Sequence, residues 1–219
     1  MGGSKQPLRE HIEFWRQFRA RFQTTGAVAP SSRFLAAAMT GPLKLRTEPA
    51  RILEIGPGTG AVTRRIVRLM RTDERLDLVE LNESFASILE RRFHEDPAWR
   101  RVDDQSTLHR CSLEEFESDT QYDFIISGLP LNNFSCDLVT KVLDKSLELL
   151  APGGVFSYFE YMYVRPLRRL VSDPAAKTRL KDVGRILDSY LSQYRVRRSW
   201  VFVNLPPAWV QHLRNDNVG

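Results

Sequence analysis

The residues best placed by type and spacing to do chemistry lie between Glu54 and Glu80. Glu54-Ile55-Gly56-Pro57-Gly58-Thr59-Gly60 sets three glycines at alternate positions behind an acid. Glycine lets a backbone turn sharply and pass close to a ligand, because no side chain intervenes. The apolar run before the loop, Arg51–Ile55, reads as a buried strand, and a helical pattern follows over Ala61–Met70. A second apolar run, Leu76–Leu81, carries Glu80 near its end. An acid there is placed to accept both hydroxyls of a ribose. Loop and acid together describe a site for a nucleoside-bearing molecule. Nicotinamide cofactors use the same acidic device, so the ribose contact alone leaves the cofactor open.

Other residues suggest what such a molecule reacts with. Phe159-Glu160-Tyr161-Met162-Tyr163 leaves a fifth strand, and the ring faces of Tyr161 and Tyr163 can surround a cation. Glu160 or a tyrosine is a candidate base. Arg165, Arg168 and Arg169 follow directly and suit a phosphate or carboxylate. Near the start, Leu8–Gln23 reads as an amphipathic helix whose Phe14, Trp15, Phe18 and Phe22 are flanked by arginines. Such a helix, with Trp15 and Phe18 as anchors, suits an anionic interface.

The elements that must position these residues alternate from Arg51 onward. A helix from Glu83 to Phe93 is followed by a weak third strand at Thr107–Arg110. A fourth strand spans Tyr122–Ser127, a helix Cys136–Leu150, and a fifth strand Val155–Tyr161 behind the Pro152-Gly153-Gly154 turn. A long helix over Ala175–Tyr194 leads to a terminal hairpin, Arg195–Val203 with Ala208–Leu213. Alternation of this kind implies a mostly parallel sheet with helices on both faces. With the hairpin added, the expected sheet has seven strands, the last pair antiparallel. Residues 1–45 are expected to form a helical extension or lid, and residues 46–219 the catalytic domain.

Composition narrows the classes further. The net charge is only +5, but the excess gathers in residues 5–21 and 165–198 and points to a polyanionic surface. No apolar run is long enough to span a bilayer, and charges at Lys5, Arg9, Glu10, Glu13 and Arg16 break any signal-peptide core. A cytoplasmic location is therefore expected. Four scattered histidines and two cysteines without local partners give no metal-ligand spacing, so no metal is expected.

The form Glu54-x-Gly56-Pro57-Gly58-Thr59-Gly60 departs from G-x-G-x-x-G and resembles motif I of Rossmann-like, class I methyltransferases. That resemblance implies S-adenosyl-L-methionine as cofactor, with Gly56, Gly58 and Gly60 against its methionine and ribose portions. It implies Glu54 on the ammonium, directly or through water, and Glu80 on the ribose. Cys111-Ser112-Leu113-Glu114 occupies the place where this class contacts adenine, which makes Ser112 a candidate. Ser127 would carry the fourth strand's end to the reaction centre.

The next segment bears on the acceptor. Methyltransferases acting on adenine in nucleic acid carry an Asn/Asp-Leu/Pro-Pro-aromatic tetrad after this strand. Here the chain reads Ser127-Gly128-Leu129-Pro130-Leu131, without the leading acceptor or the following ring; Asn132 and Asn133 are substitutes of a kind. Over residues 10–160 the chain resembles bacterial phospholipid and aminolipid N-methyltransferases. The resemblance rests on Thr25-Gly26-Ala27-Val28-Ala29-Pro30-Ser31-Ser32, on the glycine loop, and on Ser127–Phe134. It implies successive methylation of a head-group amine, of phosphatidylethanolamine or ornithine lipid. The enzyme would sit peripherally on the inner face of the membrane, with the anionic surface and the aminolipid as partners and no nucleic acid. The alternatives are an RNA adenine N6-methyltransferase, which the basic termini suit, and a non-catalytic cofactor-binding protein at the membrane.

Overall fold

A computed structural model of the chain describes residues 33–162, 174–204 and 206–214. The first helix expected from sequence, with Trp15 and Phe18, lies outside these residues. So do Tyr163, Arg165, Arg168 and Arg169.

Seven strands form one sheet: β1 (Arg51–Ile55), β2 (Arg75–Val79), β3 (Ser106–His109), β4 (Tyr122–Ser127), β5 (Leu150–Tyr161), β6 (Arg195–Val201) and β7 (Ala208–Arg214). Their spatial order is β3-β2-β1-β4-β5-β7-β6. The first five run parallel, β7 lies antiparallel to β5, and β6 antiparallel to β7. The mostly parallel sheet with its terminal antiparallel hairpin is the one the alternation predicts.

Six helices are described: α1 (Arg33–Met39), α2 (Thr63–Leu69), α3 (Glu83–Glu95), α4 (Pro97–Arg100), α5 (Cys136–Glu148) and α6 (Pro174–Tyr194). Side-chain alternation along the central strands divides the core in two. Leu53, Ile125, Phe156 and Tyr158 face α5 and α6 through Val139, Leu143, Val183 and Leu187. Ile52, Leu78, Ile126 and Phe159 face the other layer, where Leu35 and Met39 of α1 pack with Ile66 of α2 and Leu89 of α3. A strand covered on both faces must be apolar throughout, as Ile52–Ile55 is apart from Glu54.

Local signals set the helix starts. Asn82 caps α3 by accepting from the Phe85 N–H at 3.2 Å, and Ser135 caps α5 through the Leu138 N–H. Asp96 caps α4 with Pro97 in its first turn, and buries Trp99 edge-on against Phe93 at 4.9 Å. At the amino ends of the strands, buried Arg46 and Glu74 form an ion pair, and Arg46 also reaches the Leu69 carbonyl at 2.6 Å.

Two features depart from the sequence expectation. Helix α4 is too short to carry a periodic signal. Strand β5 begins at Leu150, ahead of the Pro152-Gly153-Gly154 stretch that reads as a turn. Tyr122 pairs with Leu150 and Phe124 with Val155, so residues 151–154 bulge opposite a single residue of β4. Gly153 takes φ 73° within that bulge.

Candidate active site

The register brings the carboxyl ends of the central strands to one height: Ile55 pairs with Val79 and with Ser127. Ligands of open α/β sheets bind outside these ends, where the strand order reverses. Here the reversal falls between β1 and β4. The ladder runs on into the loops, with the Gly56 N–H donating to the Val79 carbonyl at 2.9 Å and the Gly128 N–H to the Ile55 carbonyl at 2.8 Å.

The glycine loop after β1 has φ of 64°, 62° and 78° at Gly56, Gly58 and Gly60, the left-handed region that L side chains disfavour. Space is restricted as well. A Cβ on Gly56 would lie 2.4 Å from Leu129 Cδ2, and one on Gly60 2.6 Å from Trp99 Cη2. Between the loops, a Cβ on Gly128 would lie 2.5 Å from the Gly56 carbonyl oxygen. The two loops therefore pass backbone against backbone.

Both acids are buried at this junction. Glu80 Oε2 accepts from the Gly58 N–H and Oε1 from the Asn82 N–H, each at 2.9 Å, which fixes the carboxylate on the wall of the pocket. Glu54 is 1 % exposed, and its Oε2 has no hydrogen-bond partner. Burial pushes the Glu54 carboxyl up to about 8, reinforced by the charge of Glu80 and opposed in part by neighbouring Thr63. A buried carboxyl with one oxygen unpartnered, beside a glycine loop, fits a compact cation such as the ammonium of an amino acid.

The open pocket beside them is lined by Gly56, Glu80, Asn82, Ser112, Leu129 and Phe134, among others. Ser112 reaches it, but its hydroxyl donates to Glu115 Oε2 at 2.9 Å and accepts from the Glu115 N–H at 3.2 Å. This S-x-x-E arrangement is a capping box, so Ser112 shapes the turn as well as the wall. Ser127 is wholly buried at the end of β4 and accepts from the Leu129 N–H at 3.2 Å.

Of the expected cofactor residues, Gly56, Glu80 and Ser112 line this cavity and Gly58 donates to Glu80, while Glu54, Gly60 and Ser127 lie in the adjoining loop and strand ends. The acceptor-side residues are spread more widely. Asn132 is buried in the 3-10 turn Leu131–Asn133 after β4. Glu160 and Tyr161 are consecutive on β5 and point to opposite faces. Glu160 accepts from Gln211 Nε2 at 2.9 Å, while Tyr161 packs edge-on against Phe159 at 5.0 Å. Burial raises the Tyr161 phenol above its usual range, which keeps it neutral at physiological pH.

Sequence reasoning missed three contributors. Arg179 of α6 donates to the Asn133 and Phe134 carbonyls at 3.1 and 2.9 Å and so ties down the loop after β4. Gln211 holds Glu160, and Asn82 helps to hold Glu80. Asn82 has a local signal, as the cap before Glu83; the other two pairings join residues tens of positions apart.

Comparison with known proteins agrees with this geometry. Residues 52–154 match the family described as "Methyltransferase domain". The chain is 28% identical over 170 residues to an ornithine lipid N-methyltransferase from Singulisphaera acidiphila, covering 76% of this chain and 87% of that protein. Among solved structures, the O-methyltransferase TomG from Streptomyces achromogenes, in complex with SAM, superposes with a TM-score of 0.62 at 17% identity, covering 97% of this chain and 92% of that one. The N-methyltransferase NodS from Bradyrhizobium japonicum WM9 gives a TM-score of 0.61 at 17% identity, covering 86% and 100%. With its glycine loop, its buried acids and its 3-2-1-4-5-7-6 sheet, the chain has the class I, Rossmann-like methyltransferase fold, and residues 52–154 match its S-adenosylmethionine-dependent methyltransferase domain.

Proposed function

We propose that the protein successively methylates the head-group amine of a membrane aminolipid, phosphatidylethanolamine or ornithine lipid. The observation that carries the acceptor class is the similarity to an ornithine lipid N-methyltransferase, which extends over most of both chains. The loop after β4 supports it. The leading acceptor of an adenine-reading tetrad would stand at Gly128, where any side chain meets the Gly56 carbonyl. The position of the stacking ring is held by Leu131, wholly buried. That packing disfavours the RNA adenine reading. The acids fixed at the cofactor loop speak against a non-catalytic protein.

S-adenosylmethionine, when bound, supplies an electrophilic methyl group on a sulfonium. Glu54 balances the ammonium, Glu80 accepts the ribose hydroxyls, and Ser112 and Leu113 border the adenine. The attacking amine must be neutral, and its proton has to leave before attack. Glu160, held by Gln211 on β5, is the proposed proton acceptor. Tyr163 offers a ring face to the cation as methyl groups accumulate, whereas Tyr161 packs on the face away from Glu160. Asn132 orients the amine, and Arg165, Arg168 and Arg169 hold the anionic part of the lipid. Holding amine and methyl donor in line contributes much of the rate.

Purified protein, labelled S-adenosylmethionine and vesicles containing either aminolipid test this reading. Mono-, di- and trimethylated head groups should appear in sequence. Labelled RNA with unlabelled lipid would overturn it.

A further inference from the structure

The β6–β7 hairpin carries an apolar surface that the catalytic scheme does not use. Trp200, Phe202 and Val203 are 56, 64 and 65% exposed. The rings of Trp200 and Phe202 stack at 5.5 Å, and Trp200 meets Trp209 edge-on at 5.7 Å. Large apolar side chains gathered at one hairpin tip mark an interaction surface. Its charge is one-sided. The segment from Arg195 to Arg214 holds four arginines and no acid. Arg195, Arg197 and Arg198 are exposed on β6, with Arg198 stacked over the Trp209 ring at 5.2 Å.

The position of the tip is equally specific. Tyr161 pairs with Ala208, and Ala208 with Val201, so the end of β6 stands level with the carboxyl end of β5. Two strand spacings of about 4.8 Å put the tip roughly 10 Å from the acceptor side of the site. The connecting loop is held there, since Asn204 Nδ2 donates to the Pro206 carbonyl at 2.8 Å and the Met162 N–H to the Pro207 carbonyl at 2.7 Å. Exposed aromatic rings level with the site and arginines along the strand below them match a bilayer interface. There the rings sit among the head groups and the cations meet anionic phosphates.

We infer that the tip of the β6–β7 hairpin, Trp200 to Val203 with the arginines of β6, is a docking surface for an anionic phospholipid bilayer. Docked there, the rim of the site faces the membrane, and an aminolipid head group reaches β5 without leaving the interface. The choice of partner rests on the aminolipid reading. The surface itself is tested separately, by vesicle binding without turnover.

The experiment uses the full chain and sedimentation with vesicles of phosphatidylcholine alone or with phosphatidylglycerol. Phe202→Ser with Val203→Ser should weaken binding to the mixed vesicles about tenfold or more. Arg195→Gln and Arg197→Gln should each cost about fivefold on mixed vesicles and nothing on neutral ones. Unchanged affinity for S-adenosylhomocysteine establishes that each variant is folded. Wild-type binding that survives the Phe202/Val203 double substitution overturns the inference. So does a hairpin that holds two copies together, seen as a dimer made monomeric by that substitution while vesicle binding stays the same. Vesicle binding lost in the double variant, with no methyl transfer to any lipid by the wild type, would sustain the surface and remove the proposed activity.

Discussion

Titrating cofactor affinity against pH, in the native protein and in Glu54→Gln, isolates what the buried carboxyl contributes. Its pKa of about 8 leaves about 1% ionised at pH 6 and about half at pH 8. The ammonium of a free amino acid, beside its own carboxylate, stays protonated throughout this range. If binding needs carboxylate and ammonium together, their joint population therefore rises about fiftyfold from pH 6 to pH 8. At pH 7 about 0.9 proton leaves Glu54 on binding. Calorimetric titration with S-adenosylhomocysteine in two buffers of different ionisation enthalpy reads both quantities. Glu54→Gln should bind weakly, with a pH profile flat below 8 and no comparable proton release. Native affinity that is level between pH 6 and pH 8, with no proton released, would refute the assignment of Glu54 to the ammonium.

Three other outcomes follow from the packing. Gly58→Asp should abolish cofactor binding in a folded protein, because it puts a third acid beside Glu54 and Glu80 at a left-handed position; calorimetry would show unchanged affinity if the loop is misassigned. Arg46→Ala strands the fully buried Glu74 carboxylate and should cost about 3–5 kcal/mol in urea unfolding. His212 is buried between β5 and β6, its Nδ1 2.8 Å from Ser157 Oγ. Burial, then the charge of Arg197, lowers it from 6.5 to about 4. The folded value lies below the unfolded one, so stability is complete above pH 6.5 and falls by about 3 kcal/mol as pH drops towards 4. Unfolding curves of His212→Asn should lose most of that slope.

Buried strands were the most legible part of the chain, because a parallel strand packed on both faces leaves a nearly continuous apolar run. β1 and β4 begin and end where their sequences suggest. The start of β5 is hidden in the sequence, since Pro152-Gly153-Gly154 has turn composition and only pairing with β4 turns it into a bulge. At the site, the glycine loop and the acids at 54 and 80 were legible from spacing alone. Glu160 and Tyr161 are neighbours in sequence, but a two-residue strand period sends their side chains to opposite faces. The Ser112–Glu115 capping box was present in the sequence as S-x-x-E. The ties from Arg179 to the β4 loop and from Gln211 to Glu160 depend on the assembled sheet and leave no local pattern.

Feeding labelled methionine to a host expressing the chain, then separating lipid from RNA, tests the assignment of substrate most directly. The proposed activity predicts label in aminolipid head groups, with mass increments of one, two and three methyl groups that disappear in Gly58→Asp. Label confined to RNA, or lipids unchanged while the purified protein binds S-adenosylhomocysteine, would contradict it.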